Sequence, residues 1–260
     1  MPAEPTLVVH RSAELLAQAA AARLVTRLVD AQSSGRVPSL VLTGGSIAAR
    51  TYAAVADSPA HAAVDWGRVE LWWGDERFLP AGDPDRNETQ ARAALLDRVP
   101  VDPDRVHPMP ASDGRSGDDP DQAAADYAEQ LRLAARPEDH GQVPTFDVLL
   151  LGVGPDAHVA SLFPEHPGLY DDRAVTAVRG APKPPPTRLS MTFPTLGRAR
   201  EVWFLVAGED KARAVRLALS GAGPMQVPAA GVRGRQHTLW LLEKEAAREV
   251  PSTLARAASP

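Results

Sequence analysis

The chain has 260 residues, about the upper size for one hydrophobic core, and its 44% hydrophobic and 23% charged residues read as a single globular domain spanning 1–260. A net charge of -5 with a pI near 5.8 argues against a nucleic-acid partner. The absence of cysteine excludes disulfides, thiol nucleophiles and thiolate zinc sites. No apolar run approaches the ~18 residues that cross a bilayer, and no signal-peptide pattern opens the chain, so the expectation is a cytoplasmic protein without a membrane partner, a monomer or small homo-oligomer.

In chain order, a strand is expected over 6–9 and a helix over 12–30, where Ser12 can cap and Leu15, Leu16, Leu24, Val25 and Leu28 recur at helical spacing. Strand 38–42 runs into Thr43-Gly44-Gly45-Ser46 and a helix; strand 69–73 runs into Gly74-Asp75-Glu76-Arg77. A helix over 87–99, a minor strand over 105–109, an exposed loop over 110–121 and a helix over 122–135 follow. Residues 146–151 form a short, nearly continuous apolar run, the pattern of a strand covered on both faces in a parallel sheet. It ends at Gly152 and Gly154, with Pro155 and Asp156 suited to open a helix. Residues 164–186 are proline-rich and read as a long loop, then strands over 188–191 and 201–206, the second running into Gly208-Glu209-Asp210-Lys211 and a helix. Strand 238–242 and a short helix from Glu243 close the pattern.

What recurs is an apolar strand, a glycine-bearing polar loop and a helix. That pattern predicts an α/β fold: a doubly wound, mostly parallel sheet with helices on both faces, Rossmann-like, with ligands at the carboxyl ends of the strands. The four loops TGGS, GDER, GPDAH and GEDK would meet there. In TGGS, the N–H groups of Gly44, Gly45 and Ser46 at a helix start favour an anion such as phosphate, although Ser46 also suits a plain helix cap. Asp75 suits a sugar hydroxyl and Arg77 a phosphate, unless the two form a local ion pair. Asp156 and His158 are the sharper pair, because imidazole accepts protons near neutrality and a neighbouring carboxylate orients it; the plainer reading is a cap and a surface residue. Lys211 adds a cation, and of only three lysines among 28 basic residues, two (Lys183 and Lys211) fall in loop motifs.

Other chemistries find less support. The seven histidines include no HExxH, and no dinucleotide fingerprint is present, so neither a metal nor a cofactor is expected. Gly44-Gly45-Ser46-Ile47-Ala48 approximates a nucleophile elbow, which would need a distant acid and His237 as its base.

Together LTGGS at 42–46, WWGDERFLP at 72–80, Asn87, LLGVGPDAHVASLFP at 150–164, KPPPTRLSMTFPTL at 183–196, FLVAGEDKA at 204–212 and VPAAGV at 227–232 resemble the 6-phosphogluconolactonase family, related to the glucosamine-6-phosphate deaminases. The resemblance covers nearly the whole chain. It implies hydrolysis of 6-phospho-D-glucono-1,5-lactone in the pentose phosphate pathway, with the sugar-phosphate lactone as the small-molecule partner. It makes His158 the general base and Asp156 the acid beside it. Phosphate recognition falls to Gly45 and Ser46 with Arg188 and Lys211, and Asp75 and Arg77 complete the pocket. A deaminase or isomerase, or a sugar-phosphate-binding protein without turnover, are the alternatives. Two departures stand out: the family usually reads DGHTAS and GGSTP, where this chain has Ala157, Val159 and Ile47. Alanine at 157 is costly if that residue needs a positive φ.

Overall fold

Runs of Val, Leu and Trp that are apolar at every position have no polar face to turn to solvent, and burying both faces requires a layer on either side. In the computed structural model, which describes residues 4–250 and the backbone of 256–257, these runs form one parallel sheet. The strands in chain order are β1 (Thr6–His10), β2 (Ser39–Leu42), β3 (Glu70–Trp73), β4 (Asp75–Arg77), β5 (Val106–His107), β6 (Val148–Leu151), β7 (Val175–Val178), β8 (Arg188–Met191), β9 (Glu201–Val206), β10 (His237–Glu243) and β11 (Arg256–Ala257). Eight of them make the main sheet in the order β11-β1-β10-β9-β6-β2-β3-β5, every pair parallel. All residues of β2, β6 and β9 are buried.

The helices are α1 (Ala13–Ser33), α2 (Ser46–Asp57), α3 (Asn87–Ala94), α4 (Pro120–Ala134), α5 (Phe193–Leu196) and α6 (Ala212–Leu219). Ser12 caps α1 by accepting from the Leu15 N–H at 3.2 Å, and Leu16, Ala20, Leu24 and Leu28 bury one stripe of it. From β1 to β2 to β3 to β5 the chain moves toward one edge of the sheet, and from β6 to β9 to β10 it moves back. Right-handed crossovers then put α1, α2 and α3, which pack in series, on one face, and α4 and α6 on the other. The direction reverses between the neighbours β2 and β6, which is the switch point where open α/β sheets leave a crevice. The strands that precede the four polar loops, β9, β6, β2 and β3, are four consecutive neighbours.

Several expectations change. The long loop over 164–186 contains a short 3-10 turn and β7, which pairs with β8 and β4 in a second, antiparallel sheet, so Asp75–Arg77 is itself a strand. No helix follows β6: Ala157 and Ala160 have φ of 68° and 49°, outside the helical region, and the chain turns back on itself instead. No helix follows β10 either, where residues 244–249 are turns. At α2 the cap is Gly45, with φ 100°, rather than Ser46, which is the first helical residue.

Candidate active site

The carboxyl ends of β2, β3, β6 and β9 surround a cleft of about 420 Å³. Gly44, Gly45, Ser46, Asp75, Arg77, His158, Arg188 and Lys211 all line it, so the sequence-predicted residues meet in one place. Asp156 stands behind His158, off the cleft wall.

The β2 loop presents donors. Tyr52 grips Thr43 on both sides, accepting from its N–H at 2.9 Å and donating to its carbonyl at 2.8 Å, and burial raises the phenol well above its ordinary range. The first helical bond of α2 runs from the Ala49 N–H to the Gly45 carbonyl at 3.0 Å, and no side chain caps the helix. The N–H groups of Ser46, Ile47 and Ala48 therefore have no helical partner, and Ser46 and Ile47 line the cleft at the positive end of the helix dipole. On the β6 side, a Cβ at Gly152 would stand 3.9 Å from the Gly44 carbonyl, so the two loops run backbone to backbone.

The β6 loop builds the acid and base pair. The Gly154 N–H donates to the His158 carbonyl at 3.0 Å and the Ala157 N–H to the Gly154 carbonyl at 2.9 Å, which folds residues 154–158 into a tight turn. Asp156 Oδ1 lies 2.5 Å from His158 Nδ1, over Gly154, where a Cβ would come within 2.0 Å of that nitrogen. Burial pushes the Asp156 carboxyl up, but the hydrogen bond and charge of His158 and nearby backbone N–H groups outweigh it and hold the acid below its usual range. An ionised Asp156 fixes the proton on Nδ1 and leaves Nε2 as the acceptor. The imidazole packs on Phe163, ring centroids 4.6 Å apart.

Asp75 is not paired with Arg77. Its Oδ2 accepts from Ser161 Oγ at 2.8 Å and its Oδ1 from Asn87 Nδ2 at 3.3 Å. Arg77 instead donates to the Asp85 carbonyl at 2.6 Å and stands opposite Arg188 in the β4–β8 register. Burial lowers the Arg188 guanidinium, with Asp75 acting against that and Arg77 adding to it. Lys211 Nζ pairs with Asp210 at 2.7 Å. The elbow reading of Ser46 fails on position: His237 begins β10 at the amino edge of the sheet, whereas Ser46 lies at the carboxyl edge.

The family described as glucosamine-6-phosphate isomerases/6-phosphogluconolactonase matches residues 11–240. The chain belongs to that family. It is 62% identical over 256 residues to the 6-phosphogluconolactonase of Streptomyces coelicolor, covering 98% of each chain. To that of Mycobacterium tuberculosis it is 45% identical over 250 residues, covering 95% of this chain and 99% of the other. Among solved structures, the 6-phosphogluconolactonase of Trypanosoma brucei matches with a TM-score of 0.82 at 30% identity, over 95% of this chain and 99% of that one.

Three further residues, Glu76, Ser161 and Phe163, support the cleft although sequence reasoning assigned them nothing. Buried Glu76, pushed up to about 7 by desolvation against Arg86 and three backbone N–H donors, accepts from the first N–H groups of α3 at 2.6 and 2.9 Å. That fixes Asn87, whose carboxamide fills the space over Gly44, where a Cβ would lie 1.8 Å from its Oδ1. Glu76 sits inside the GDER motif, so its position was visible although its task was not. Ser161 and Phe163 lie in the expected helix that does not form, and nothing in their spacing marks them.

Proposed function

We propose that the chain hydrolyses 6-phospho-D-glucono-1,5-lactone to 6-phosphogluconate. The observation that carries this reading is His158, backed by Asp156, at the wall of a cleft that Arg77, Arg188, Lys211 and the uncapped start of α2 also line. A base beside an anion site suits a phosphorylated substrate that needs one activated water.

In the reaction, Nε2 of His158 takes a proton from water as its oxygen bonds to the lactone C1, and the carbonyl electron pair moves onto oxygen. Asp156 stabilises the imidazolium through Nδ1. Collapse of the tetrahedral alkoxide breaks the bond from C1 to the ring oxygen, which takes the proton back from Nε2. One water is consumed, and a carboxylic acid and a hydroxyl are formed. An ester carbonyl is electrophilic already, so positioning and a base supply the catalysis without a redox or carbanion step. The N–H groups at Gly45 and Ser46, with Arg188 and Lys211, hold the phosphate; Asp75 and Arg77 face the sugar. The cysteine-free composition suits action in the cytoplasm.

Acid release from the phosphorylated lactone, followed at constant pH with spontaneous hydrolysis subtracted, tests the reading. His158→Ala is expected to lose on the order of 10²–10⁴ in kcat. Undiminished turnover in that variant would remove the base. Ammonia release from glucosamine 6-phosphate would move the chain to the other branch of its family.

A further inference from the structure

The cations around the cleft are held in different ways. Of the three lysines in the chain, Lys211 pairs with Asp210 and Lys244 with Glu245. Lys183 lines the cleft and has neither an ion pair nor a side-chain hydrogen bond among the described residues. It rides on a strap of prolines, and the residue that holds the strap is Arg188.

Arg188 is buried, 5% exposed, and has no carboxylate in ion-pair range among the described residues. Its Nε donates to the Pro185 carbonyl at 3.2 Å, and its Nη2 to the carbonyls of Lys183 and Pro184 at 3.1 and 3.2 Å. A planar guanidinium can serve three consecutive carbonyls from a fixed fork, which an ammonium cannot do. The strap has few other ways to lie, since its prolines have fixed φ and no N–H. Its ends are closed by the Ala181 N–H on the Pro186 carbonyl at 3.0 Å and the Phe78 N–H on the Thr187 carbonyl at 3.1 Å. Beneath it, Phe163 clusters with Val178 and Ala181, lies 5.6 Å from the Arg188 guanidinium carbon and carries the His158 ring on the same aromatic surface. The strap and the base thus share one support.

We propose that Lys183 is a phosphate-binding residue of this cleft, and that Arg188 is the positioning residue that holds it there. The identity of the ligand rests on the lactonase reading above; the anion site itself does not. An unpaired ammonium at the rim of a cationic cleft gives up no internal partner when a phosphate arrives, whereas Lys211 must share its charge with Asp210.

The test compares the phosphorylated lactone with glucono-1,5-lactone, which has no phosphate. In Lys183→Met, the ratio of kcat/KM for the two is expected to fall about tenfold, equivalent to about 1.4 kcal/mol. The affinity for inorganic phosphate, titrated by calorimetry, should weaken by the same factor. A fall of threefold or less in both measurements overturns the role of Lys183. Arg188→Lys keeps the charge but loses the fork. It should weaken phosphate binding in the natural background and cost less on top of Lys183→Met than it does alone, because the part of its effect that runs through Lys183 is already lost; full additivity of the two losses overturns the positioning role. If the unaltered protein turns over neither lactone, the functional reading fails, while the phosphate titration still decides Lys183.

Discussion

At the amino edge of the parallel sheet lies a cleft of about 720 Å³, at the starts of β2, β3, β5, β6 and β9; the cleft at the carboxyl edge is about 420 Å³. The larger one is rich in charge, but its main carboxylates are satisfied within the protein. Glu70 bonds Arg105 and, at 2.8 Å, His107, whose ring stacks 3.9 Å from Trp72. Asp147 bonds Arg36, lies 3.6 Å from Arg200 and accepts from the Ser39 N–H at 3.0 Å. At the carboxyl edge the balance is reversed: Lys183 and Arg188 have no carboxylate partner among the described residues, and His158 keeps Nε2 open. Volume therefore ranks the two clefts in the wrong order. What distinguishes them is whether the charges already have partners, because only the unsatisfied ones leave interaction energy for a ligand.

The sharpest way to break this contrast is at Gly154. A Cβ there would lie 2.0 Å from His158 Nδ1 and 2.4 Å from Asp156 Oδ1, so Gly154→Ala must separate the pair. Because misplacing a catalytic group by about 1 Å costs on the order of 10²-fold, kcat should fall at least that far while circular dichroism stays native. Retained activity would show that the pair is not needed as built.

At the amino edge the expected outcome is the reverse. Glu70→Gln should leave kcat/KM within about twofold and lower stability by about 1 kcal/mol, the scale of a partly exposed ion pair. Burial raises the Glu70 carboxyl, but the bonds and charges of His107 and Arg105 carry it below its ordinary value of 4.5. A depressed acid contributes stability that is fully present above the unfolded value and is lost as pH falls through the folded one. Denaturant curves of the variant and the natural protein should therefore converge below pH 4.5. A large loss of activity would mean that this cleft takes part in turnover.

Ala157 gives the smallest expected effect. Its φ of 68° costs roughly 1–2 kcal/mol for a residue with a Cβ, which favours glycine. Its methyl is also buried, worth about 0.8 kcal/mol, and glycine would lose about 0.5–1 kcal/mol in chain entropy. The opposing effects nearly cancel, so Ala157→Gly should shift stability by less than about 1 kcal/mol, read from a chemical denaturation midpoint. That near balance explains how alanine stands where the family usually has glycine.

The contrast between what the sequence shows and what it hides follows the same physics. The four loops were legible because each follows a strand that ends in an unbroken apolar run of three or more residues, and strands of that kind in parallel order bring their carboxyl ends together. The antiparallel sheet was not. β7 lies among prolines and acidic residues, and β4 is only three residues long, so each is specified by pairing with β8 rather than by its own pattern. The expected helix after Gly154 had suitable opening residues, but the turn closed by the Ala157 N–H and the 2.5 Å Asp156–His158 contact prevailed over local preference. Lys183 was conspicuous as a rare lysine beside three prolines, yet nothing in the sequence says that Arg188 holds the carbonyls beneath it.

The β4–β8 register has a further consequence. It sets Arg77 opposite Arg188 on the small antiparallel sheet, and like charges so placed oppose the pairing. A phosphate held at Arg188 would lessen that repulsion, so ligand binding and the cohesion of the small sheet are expected to be linked quantities. By mass action, phosphate at 100 times its Kd should raise the unfolding free energy by about 2.7 kcal/mol. Hydrogen exchange should slow at the amides of 75–77 and 188–191 more than in the parallel sheet. The empty protein is then the looser state of its own binding site, and the concentration of sugar phosphate around it sets how firmly that corner of the fold is closed.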